Sequence, residues 1–492
     1  MTASLVLALD IGTSSVRAVL FDEAGRQVDG GLADRPHAPD VTPDGGAELD
    51  PGALLSRTAA AIDEVLVAAG GRATAIRAVG LATFWHGLMG TDAADTPVTP
   101  LYLWADVRAS AHAARLAERL GADALHARTG CPVHASFLPA KLLWLGETRP
   151  DPFRRAAWWG SFGEWLHRRL FGRPDAPASL SMASATGLLD QTTGRWDETI
   201  LGAIGLDPRR LSPIGDLDNV SQGLAPEWAR RWPPLARVPW LPAVGDGATG
   251  QIGSGCTSSD RIALNVGTSS ALRVLVDGPV VPPPPGLFGY RLDGRQGVVG
   301  GALNEGGNVV AWARETFRLP AGAEMEAVLE RLPPDAHGLT VLPWLMGERA
   351  PGWRGDLTGT ITGLSLATRP IDLLHALMEA VALRLALVEE RLERRVPPEA
   401  VVVASGGAML ASPAWRRIVA DALGRPVVAS GEPEASARGA ALLALRETGL
   451  LSSLQHAPAR LGARLDPEPA RHATYRAARD RQQALDERLF AR

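Results

Sequence analysis

The chain has 492 residues, of which 46% are hydrophobic and 21% charged, and its 50 basic and 54 acidic residues give a net charge of −4. This length exceeds the size at which a single hydrophobic core keeps growing, so we expect two domains. The balanced charge, without a basic stripe, argues against binding to nucleic acid or anionic lipid, and no apolar run of 18 residues predicts a membrane span.

The two cysteines and the single lysine limit the kinds of site that the protein can contain. Cys131 and Cys256 are far apart in the sequence, which favours two reduced thiols in a cytoplasmic protein over a disulfide or a metal pair. Lys141 is the only lysine, and no glycine-rich loop precedes it. A Walker A loop is therefore excluded, and the protein must hold any phosphate in another way.

The first predicted elements form a hairpin that recurs late in the chain. The segments LALDIGTSSVRAVLFD (7–22) and IALNVGTSSALRVLVD (262–277) align at a constant offset of 255 residues. In each, two strand-like runs flank Gly-Thr-Ser-Ser, and the second run lacks the helix start of a dinucleotide-binding fold. A repeat of this length predicts a duplicated domain.

Long helices and strands are predicted in both halves of the chain. Helical periodicity extends over 54–69, 112–120 and 371–393, and a strand is predicted over 400–404. We therefore predict an α/β protein whose two domains face each other across a cleft, where ligands bind preferentially. The predicted units are an N-terminal domain (1–249), a C-terminal domain (250–449) and a helical tail (450–492).

The Gly-Thr-Ser-Ser turns are candidate phosphate sites. The backbone N–H groups and hydroxyls of such a turn form a concave anion site, and two facing turns could hold the two ends of a triphosphate. Asp10 precedes the first turn, where its carboxylate could bind Mg²⁺. The second copy has Asn265 at this position. A turn-capping role is the alternative for Asp10.

Aromatic and polar residues after an apolar strand predict a polyol site. Trp85 and His86 end this strand, and Trp104 and Arg108 follow in the next segment. The rings could cover the C–H faces of a polyol while the polar groups meet its hydroxyls. Tryptophans that only fill the core are the alternative.

Two glycine-flanked positions complete the candidate chemistry. Asp246 lies between Gly245 and Gly247, which let backbone or ligand approach closely, although Asp-Gly turns are also common in loops. Gly406 and Gly407 lie between a predicted strand and a helix, where they could approach a phosphate-bearing ligand.

Taken in order, these motifs resemble the FGGY family of carbohydrate kinases, within the actin-like ATPase superfamily of ribonuclease H-like domains. The resemblance extends over 5–445. Its motifs include Asp10-Ile-Gly-Thr-Ser-Ser, Trp85-His86-Gly87, Lys141-Leu-Leu-Trp-Leu, Gly245-Asp-Gly, Asn265-Val-Gly-Thr-Ser-Ser, Gly347-Glu-Arg-Ala-Pro351 and Ser405-Gly-Gly407.

The resemblance implies ATP as the phosphoryl donor and Mg²⁺ as the metal ion, with the sugar on the N-terminal domain and the nucleotide on the C-terminal domain. It implies that Asp246 is the general base and that Asp10 and Asp246 hold the metal ion. The implied sugar contacts are Trp85, His86, Trp104, Arg108 and Asp246. The implied ATP contacts are Gly12, Thr13, Ser14, Arg17, Gly267, Thr268, Gly307, Gly406, Gly407 and Ala411. Ala411 stands where some relatives carry an adenine-contacting asparagine.

Within the family, the stretches 129–134, 181–188 and 304–308 look most like those of gluconate kinases. This implies conversion of D-gluconate to 6-phosphogluconate, with Arg108 or another arginine of the pocket meeting the carboxylate. Xylulose, ribulose and other polyols stay open as acceptors.

Two alternatives come from other functional classes. One is a conformational ATPase of the actin or heat-shock chaperone type without a sugar acceptor, against which Trp85, His86 and Trp104 argue. The other is a binding module that has lost activity, against which the presence of both Asp10 and Asp246 argues. The expected partner is a small-molecule sugar or sugar acid, with no nucleic acid and no membrane, and a homodimer is compatible with the sequence.

Overall fold

The computed structural model describes residues 4–280 and 282–490. Its N-terminal half contains a five-stranded sheet in the order β5–β4–β1–β2–β3. Strand β1 pairs antiparallel with β2 and parallel with β4, so it is the central strand and is buried. The strands are β1 (Leu5–Ile11), β2 (Ser15–Asp22), β3 (Gln27–Pro36), β4 (Ile76–Thr83) and β5 (Val244–Gly245).

The C-terminal half repeats this sheet with one extra strand at each edge, in the order β8–β9–β7–β6–β10–β11–β12. Strand β6 pairs antiparallel with β7 and parallel with β10, as β1 does with β2 and β4. The predicted α/β fold of two duplicated domains is therefore confirmed. The strands are β6 (Arg261–Val266), β7 (Ser270–Asp277), β8 (Phe288–Arg291), β9 (Gln296–Leu303), β10 (Val401–Ser405), β11 (Val427–Ser430) and β12 (Leu461–Leu465).

Helices connect and cover the two sheets. The helices used below are α1 (Pro51–Ala69), α2 (Leu138–Thr148), α3 (Asp246–Gly253), α4 (Gly307–Thr316), α5 (Pro370–Leu392), α6 (Gly407–Ala411), α7 (Pro413–Leu423), α8 (Ala435–Glu447) and α9 (Pro469–Phe490). Further helices are Ser110–Leu120, Ala122–Thr129, Pro150–Arg155, Phe162–Phe171, Leu180–Ser184, Glu198–Ile204, Pro226–Arg231 and Gly322–Leu329. Short strand pieces are Asp40–Val41, Ala47–Leu49, Met89–Thr91, Leu101–Tyr102, Trp158–Gly160, Ala178–Ser179, Leu189–Asp190, Arg195–Trp196, Ile214–Gly215, Thr340–Leu342 and Thr360–Thr362.

The three predicted helices are present, and the predicted strand at 400–404 is β10. Helix α1 begins three residues before the predicted start because Asp50 caps it. The Asp50 carboxylate accepts a hydrogen bond from the Ala53 amide at 2.6 Å, and Pro51 occupies the first turn, where its missing N–H costs nothing. Among the described residues, no helix combines the length and apolar character that a membrane crossing requires.

The segment after residue 450 differs from the predicted helical tail. It contains the helix α9, but it also contains β12, which pairs antiparallel with β11 and forms an edge of the C-terminal sheet. Helix α9 packs on α5 and α7, and its buried Tyr475 donates a hydrogen bond to Glu379 of α5 at 2.9 Å. This segment is therefore an integral part of the C-terminal half.

Helix α8 links the two halves of the molecule. It follows β11 in the C-terminal half, yet it packs on β1 and β4 of the N-terminal sheet and crosses α3. The crossing requires two glycines, because a Cβ at Gly253 would overlap the carbonyl group of Ala435 and a Cβ at Gly439 would overlap that of Thr249. The two helix backbones are therefore in direct contact.

This contact predicts that Gly439→Ala is strongly destabilising. The added methyl group meets backbone on the facing helix, which cannot turn aside as a side chain can, so we expect a cost of at least about 1–3 kcal/mol, the usual range for overpacking. The measurement is the midpoint of thermal unfolding followed by circular dichroism.

Gly202→Ala is the matched control. Gly202 lies in an exposed helix position with no atom near an added Cβ, so the substitution should leave the midpoint unchanged or raise it, since alanine favours a helix by about 1 kcal/mol over glycine. Equal midpoints for Gly439→Ala and the parent protein would contradict the close crossing.

Candidate active site

The two Gly-Thr-Ser-Ser turns face one cavity between the halves. The first turn contributes Thr13, and the second contributes residues 267–270. The cavity has a volume of about 270 Å³, suited to a small ligand. The structure thus brings together, at one place, the predicted residues Thr13, Trp85, His86, Trp104, Asp246, Gly267 and Thr268.

Asp246 begins helix α3 on the wall of this cavity. The indole of Trp85 lies directly against Gly245 and Gly247, and a Cβ at either glycine would overlap it. Because neither glycine has a side chain, the ring of Trp85 can pack against the backbone on both sides of Asp246. Burial raises the pKa of Asp246, and the charge of Arg273 opposes this shift.

Trp85 and His86 are held by main-chain carbonyls of the neighbouring segment. The Trp85 indole N–H donates to Ser181 O at 3.1 Å, and His86 Nδ1 lies 2.7 Å from Ala185 O. Burial and the charge of Arg349 hold the pKa of His86 well below its usual value, so the ring is neutral with Nδ1–H as donor and Nε2 as acceptor. His86 also has a φ of 64°, a left-handed conformation that non-glycine residues seldom adopt outside functional positions.

Three polar residues of the cavity wall, Arg273, Tyr290 and Arg349, are not among the predicted site residues. Arg273 Nε, the Tyr290 hydroxyl and Arg349 Nε are buried without a hydrogen-bond partner among the described residues. Buried polar groups are normally satisfied, so these atoms mark a place for a polar ligand. Arg349 lies in the Gly347-Glu-Arg-Ala-Pro351 motif, which could have indicated it. Arg273 lies in the repeated hairpin, but its counterpart in the first copy is Ala18, so the repeat does not mark it, and no motif includes Tyr290.

The structure does not bring the predicted sugar contact Arg108 to the cavity. Its guanidinium pairs with Asp106 and Glu48 and lies 4.7 Å from the ring centroid of Trp144, outside the cavity. These two carboxylates occupy its donors, so Arg108 has a structural role. The guanidinium beside Trp104 belongs instead to Arg349, at 5.2 Å from the ring centroid.

A second cavity lies beside the first and shares part of its wall. It is lined by Asp10, Arg17, Gly406 and Gly407, all predicted site residues, together with Glu434. The residues common to both cavities are Asp246, Asn265 and Arg273. Asp246 therefore stands where a group could pass from one cavity to the other.

The carboxylates of the second cavity fit a divalent cation. Burial, followed by the charge of Asp246, raises the pKa of Asp10 to about 7, and Arg17 only partly opposes this. Arg17 also lies 3.5 Å from both Asp34 and Glu434, so its charge is divided among several acids. Oxygen ligands with excess negative charge are those that Mg²⁺ prefers, and Asp10 and Asp246 are the residues that would hold it.

The turn amides differ in availability. The N–H groups of Gly12 and Gly267 close their own turns by donating to Ser15 O at 2.9 Å and Ser269 O at 3.0 Å. The amides of Thr13, Ser14 and Thr268 have no hydrogen-bond acceptor within the described chain. The amides that are available to an anion are therefore those after each glycine, whereas the glycine amides close the turns.

A third cavity extends from the short helix α6 toward helix α4. It is lined by the predicted residues Gly307 and Ala411 and by apolar side chains such as Val310 and Met325. Helix α6 contributes Gly407 to the second cavity and Ala411 to the third. The first two cavities thus share a wall at Asp246, and helix α6 lies between the second cavity and the third.

The asymmetry between Asp10 and Asn265 predicts unequal effects of substituting the two residues. Asp10→Asn removes a metal ligand and should lower turnover at least about 100-fold, because metal charge stabilisation supplies several kcal/mol. Asn265→Ala loses one exposed hydrogen bond, 3.2 Å long, to Ser405 and should cost less than about tenfold. Steady-state turnover at saturating Mg²⁺ compares the two.

Thermal unfolding of the same variants gives an independent check. Without Mg²⁺ at pH 8, Asp10→Asn should raise the unfolding midpoint, because ionising a buried carboxylate whose pKa is raised costs stability. Mg²⁺ should then no longer stabilise this variant. Mg²⁺ stabilisation equal to that of the parent protein would contradict the assignment.

Residues 5–253 match the model of the N-terminal domain of the FGGY family of carbohydrate kinases, and residues 262–448 match that of its C-terminal domain. A gluconokinase from Bacillus subtilis (strain 168) is 28% identical over 471 residues, covering 92% of this chain and 89% of that protein.

Two solved structures from Lactobacillus acidophilus superpose with a TM-score of 0.91, each over 99% of both chains. One is a gluconate kinase, 27% identical to this chain, and the other is a ligand-bound xylulose kinase, 26% identical.

Proposed function

The chain belongs to the FGGY family of carbohydrate kinases and is an ATP-dependent phosphotransferase, and we propose that its acceptor is D-gluconate, which it converts to 6-phosphogluconate. The observation that carries this proposal is the pair of guanidinium groups of Arg273 and Arg349 in the cavity beside Asp246, each with a buried Nε that has no hydrogen-bond partner among the described residues. Family membership sets aside the alternative of a conformational ATPase without an acceptor.

Arg349 fits the carboxylate of a sugar acid. Burial lowers its pKa only to about 10, so it is charged at neutral pH, and its Nε has no hydrogen-bond partner among the described residues. Burial raises the pKa of the nearby Glu305 to about 8, so this acid is mostly neutral and does not balance the charge. A ligand carboxylate would supply the missing counter-charge and could bind the guanidinium in a bidentate manner.

The remaining cavity groups suit a chain of hydroxyls. His86 Nε2 offers an acceptor, the Tyr290 hydroxyl is an unpaired donor and acceptor, and Trp104 presents a ring. A polyhydroxy acid satisfies these groups together with Arg349, whereas a neutral polyol leaves the arginine unpaired.

Phosphoryl transfer would take place across the wall that the two cavities share. The acceptor hydroxyl lies on the Trp85 side of Asp246, and the terminal phosphate lies on the Asp10 side, between the two turns. Asp246 accepts the proton of the attacking hydroxyl, and burial, which raises its pKa, makes the carboxylate a stronger base. The free amides of Thr13, Ser14 and Thr268 and the guanidinium of Arg17 orient the phosphates.

The metal ion and the adenine of ATP would complete this arrangement. Asp10 and Asp246 would hold Mg²⁺, which would neutralise charge on the phosphate oxygens of the bound triphosphate. The third cavity, lined by Gly307 and Ala411, would receive the adenosine end of ATP. The side chain of Ala411 offers the adenine no hydrogen bond.

Xylulose is the second candidate acceptor. The xylulose kinase structure superposes as well as the gluconate kinase structure, with the same TM-score of 0.91. Coupled ADP release, measured in parallel on gluconate, xylulose, ribulose, xylitol and glycerol, distinguishes these acceptors. A higher kcat/KM on any of the others than on gluconate would overturn the proposed substrate.

Asp246→Asn tests the base. The substitution keeps the size of the side chain but cannot accept the proton, so we expect turnover to fall about 10²–10⁴-fold, while ATP binding measured by calorimetry is retained. Asp218→Asn, at an exposed loop position, is the control and should keep full turnover. Near-normal turnover of Asp246→Asn would contradict the role of the base.

Arg349→Gln tests carboxylate recognition. Truncating one partner of a buried charge pair costs about 2–5 kcal/mol, so kcat/KM on gluconate should fall roughly 30- to several-thousand-fold, with a much smaller loss on xylitol. Arg108→Gln removes the sequence-predicted contact instead and should leave the ratio between gluconate and xylitol unchanged. An unchanged ratio in Arg349→Gln would argue against a sugar-acid acceptor.

A further inference from the structure

The only lysine of the chain, Lys141, lies in the N-terminal turn of helix α2 and is buried, with 1% of its surface exposed. Its ammonium donates to the carbonyl oxygen of His86 at 3.0 Å and to that of Leu103 at 2.6 Å. Lysines are almost never fully buried without an acidic partner, and no carboxylate lies within 4.0 Å of this one among the described ion pairs. Its placement therefore needs an explanation.

The two carbonyls belong to the two segments that carry the aromatic wall of the acceptor cavity. Leu88 and Tyr102 form an antiparallel bridge, with N–H to O distances of 3.0 and 2.8 Å in the two directions. Beyond this bridge the pairing stops, and His86 and Trp104 continue toward the cavity without a further main-chain hydrogen bond between the two segments. The Lys141 ammonium joins the segments at the point where their own pairing ends.

We propose that Lys141 is a positioning residue for the acceptor, which fixes the spacing between the His86 and Trp104 segments and thereby the width of the acceptor cavity. It contacts neither substrate and acts only through these two carbonyls. The proposal rests on the assignment of this cavity to the phosphoryl acceptor, but not on which carbohydrate binds there.

The chemistry of the side chain suits this role. An ammonium has three donors on a compact centre, so it can hold two carbonyl oxygens from different segments, which a neutral apolar side chain cannot do. Burial lowers the pKa of Lys141 to about 7, and the charge of Asp106 opposes this shift. An amine that has lost its third proton still keeps two N–H groups for the two carbonyls.

Lys141→Met tests the proposal, because methionine fills a similar volume without donors. We expect the KM for the acceptor to rise at least tenfold, since small misplacements of binding groups can cost up to about 100-fold, whereas the KM for ATP should stay within twofold. The acceptor is whichever carbohydrate the parent enzyme phosphorylates best. If that carbohydrate is not gluconate, the substrate proposal fails, and the KM of Lys141→Met is then measured for the better acceptor.

Arg168→Met is the matched control. Arg168 is also a buried cation that binds a main-chain carbonyl, that of Pro174, together with Asp95, but it lies away from the cavity. Its loss should lower stability without changing the ratio of the two KM values. Equal rises of both KM values in Lys141→Met, or no rise in either, would overturn the proposal.

A measurement on the unmodified sequence does not depend on the folding of any variant. Protein labelled with ¹³C at lysine Cε gives a single side-chain resonance, because the chain has one lysine. We expect this resonance to move when the acceptor is added without nucleotide. No movement at saturating acceptor would also overturn the proposal.

Discussion

The contact between helices α3 and α8 is the constraint on which the arrangement of this molecule depends. The helices come from different halves of the chain, and Gly253 and Gly439 let their backbones touch. Helix α3 begins at Asp246, and α8 follows directly after Glu434. The same packing that joins the halves therefore brings two acidic residues to one side of the cleft, where both line the second cavity.

The duplication supplies two equivalent turns, and the differences between the copies make the site directional. Burial raises the pKa of Asp10, and the charges of Asp246, Glu434 and Asp34 raise it further. Asn265, at the equivalent position, donates instead to a serine hydroxyl and adds no charge. Negative charge is thus concentrated in the second cavity, whereas Arg349 lies in the first cavity and Arg273 lines both.

The parts of the fold that are set by local pattern could be predicted from the sequence. Both hairpins, the helices α1 and α5 and the strand β10 follow from apolar periodicity and turn residues. The strand β12 could not be predicted, because its residues are mostly exposed and show no alternation. It forms only because the edge of the C-terminal sheet is available to pair with it.

The site residues also divide into those that local motifs place and those that depend on tertiary packing. Asp10, Trp85, His86 and Asp246 end strands or begin a helix, so their motifs place them. The other three cavity residues depend on tertiary structure. Strand β7 carries Arg273, β8 carries Tyr290, and the segment after Thr340–Leu342 carries Arg349. These elements meet the N-terminal half only in the folded protein. Arg108 was assigned to the sugar because it lies near Trp104 in the sequence, but Glu48, which is distant in sequence, pairs with it and holds it elsewhere.

The burial of the single lysine has a practical consequence. Reagents that acylate ε-amino groups find no lysine on the surface of this protein, so they can modify a lysine only when helix α2 separates from the segments it holds. The rate of acylation at Lys141 then equals the open fraction multiplied by the reactivity of a free amine, when opening and closing are fast. The acylation rate of this single lysine thus reports how often the wall of the cleft opens locally.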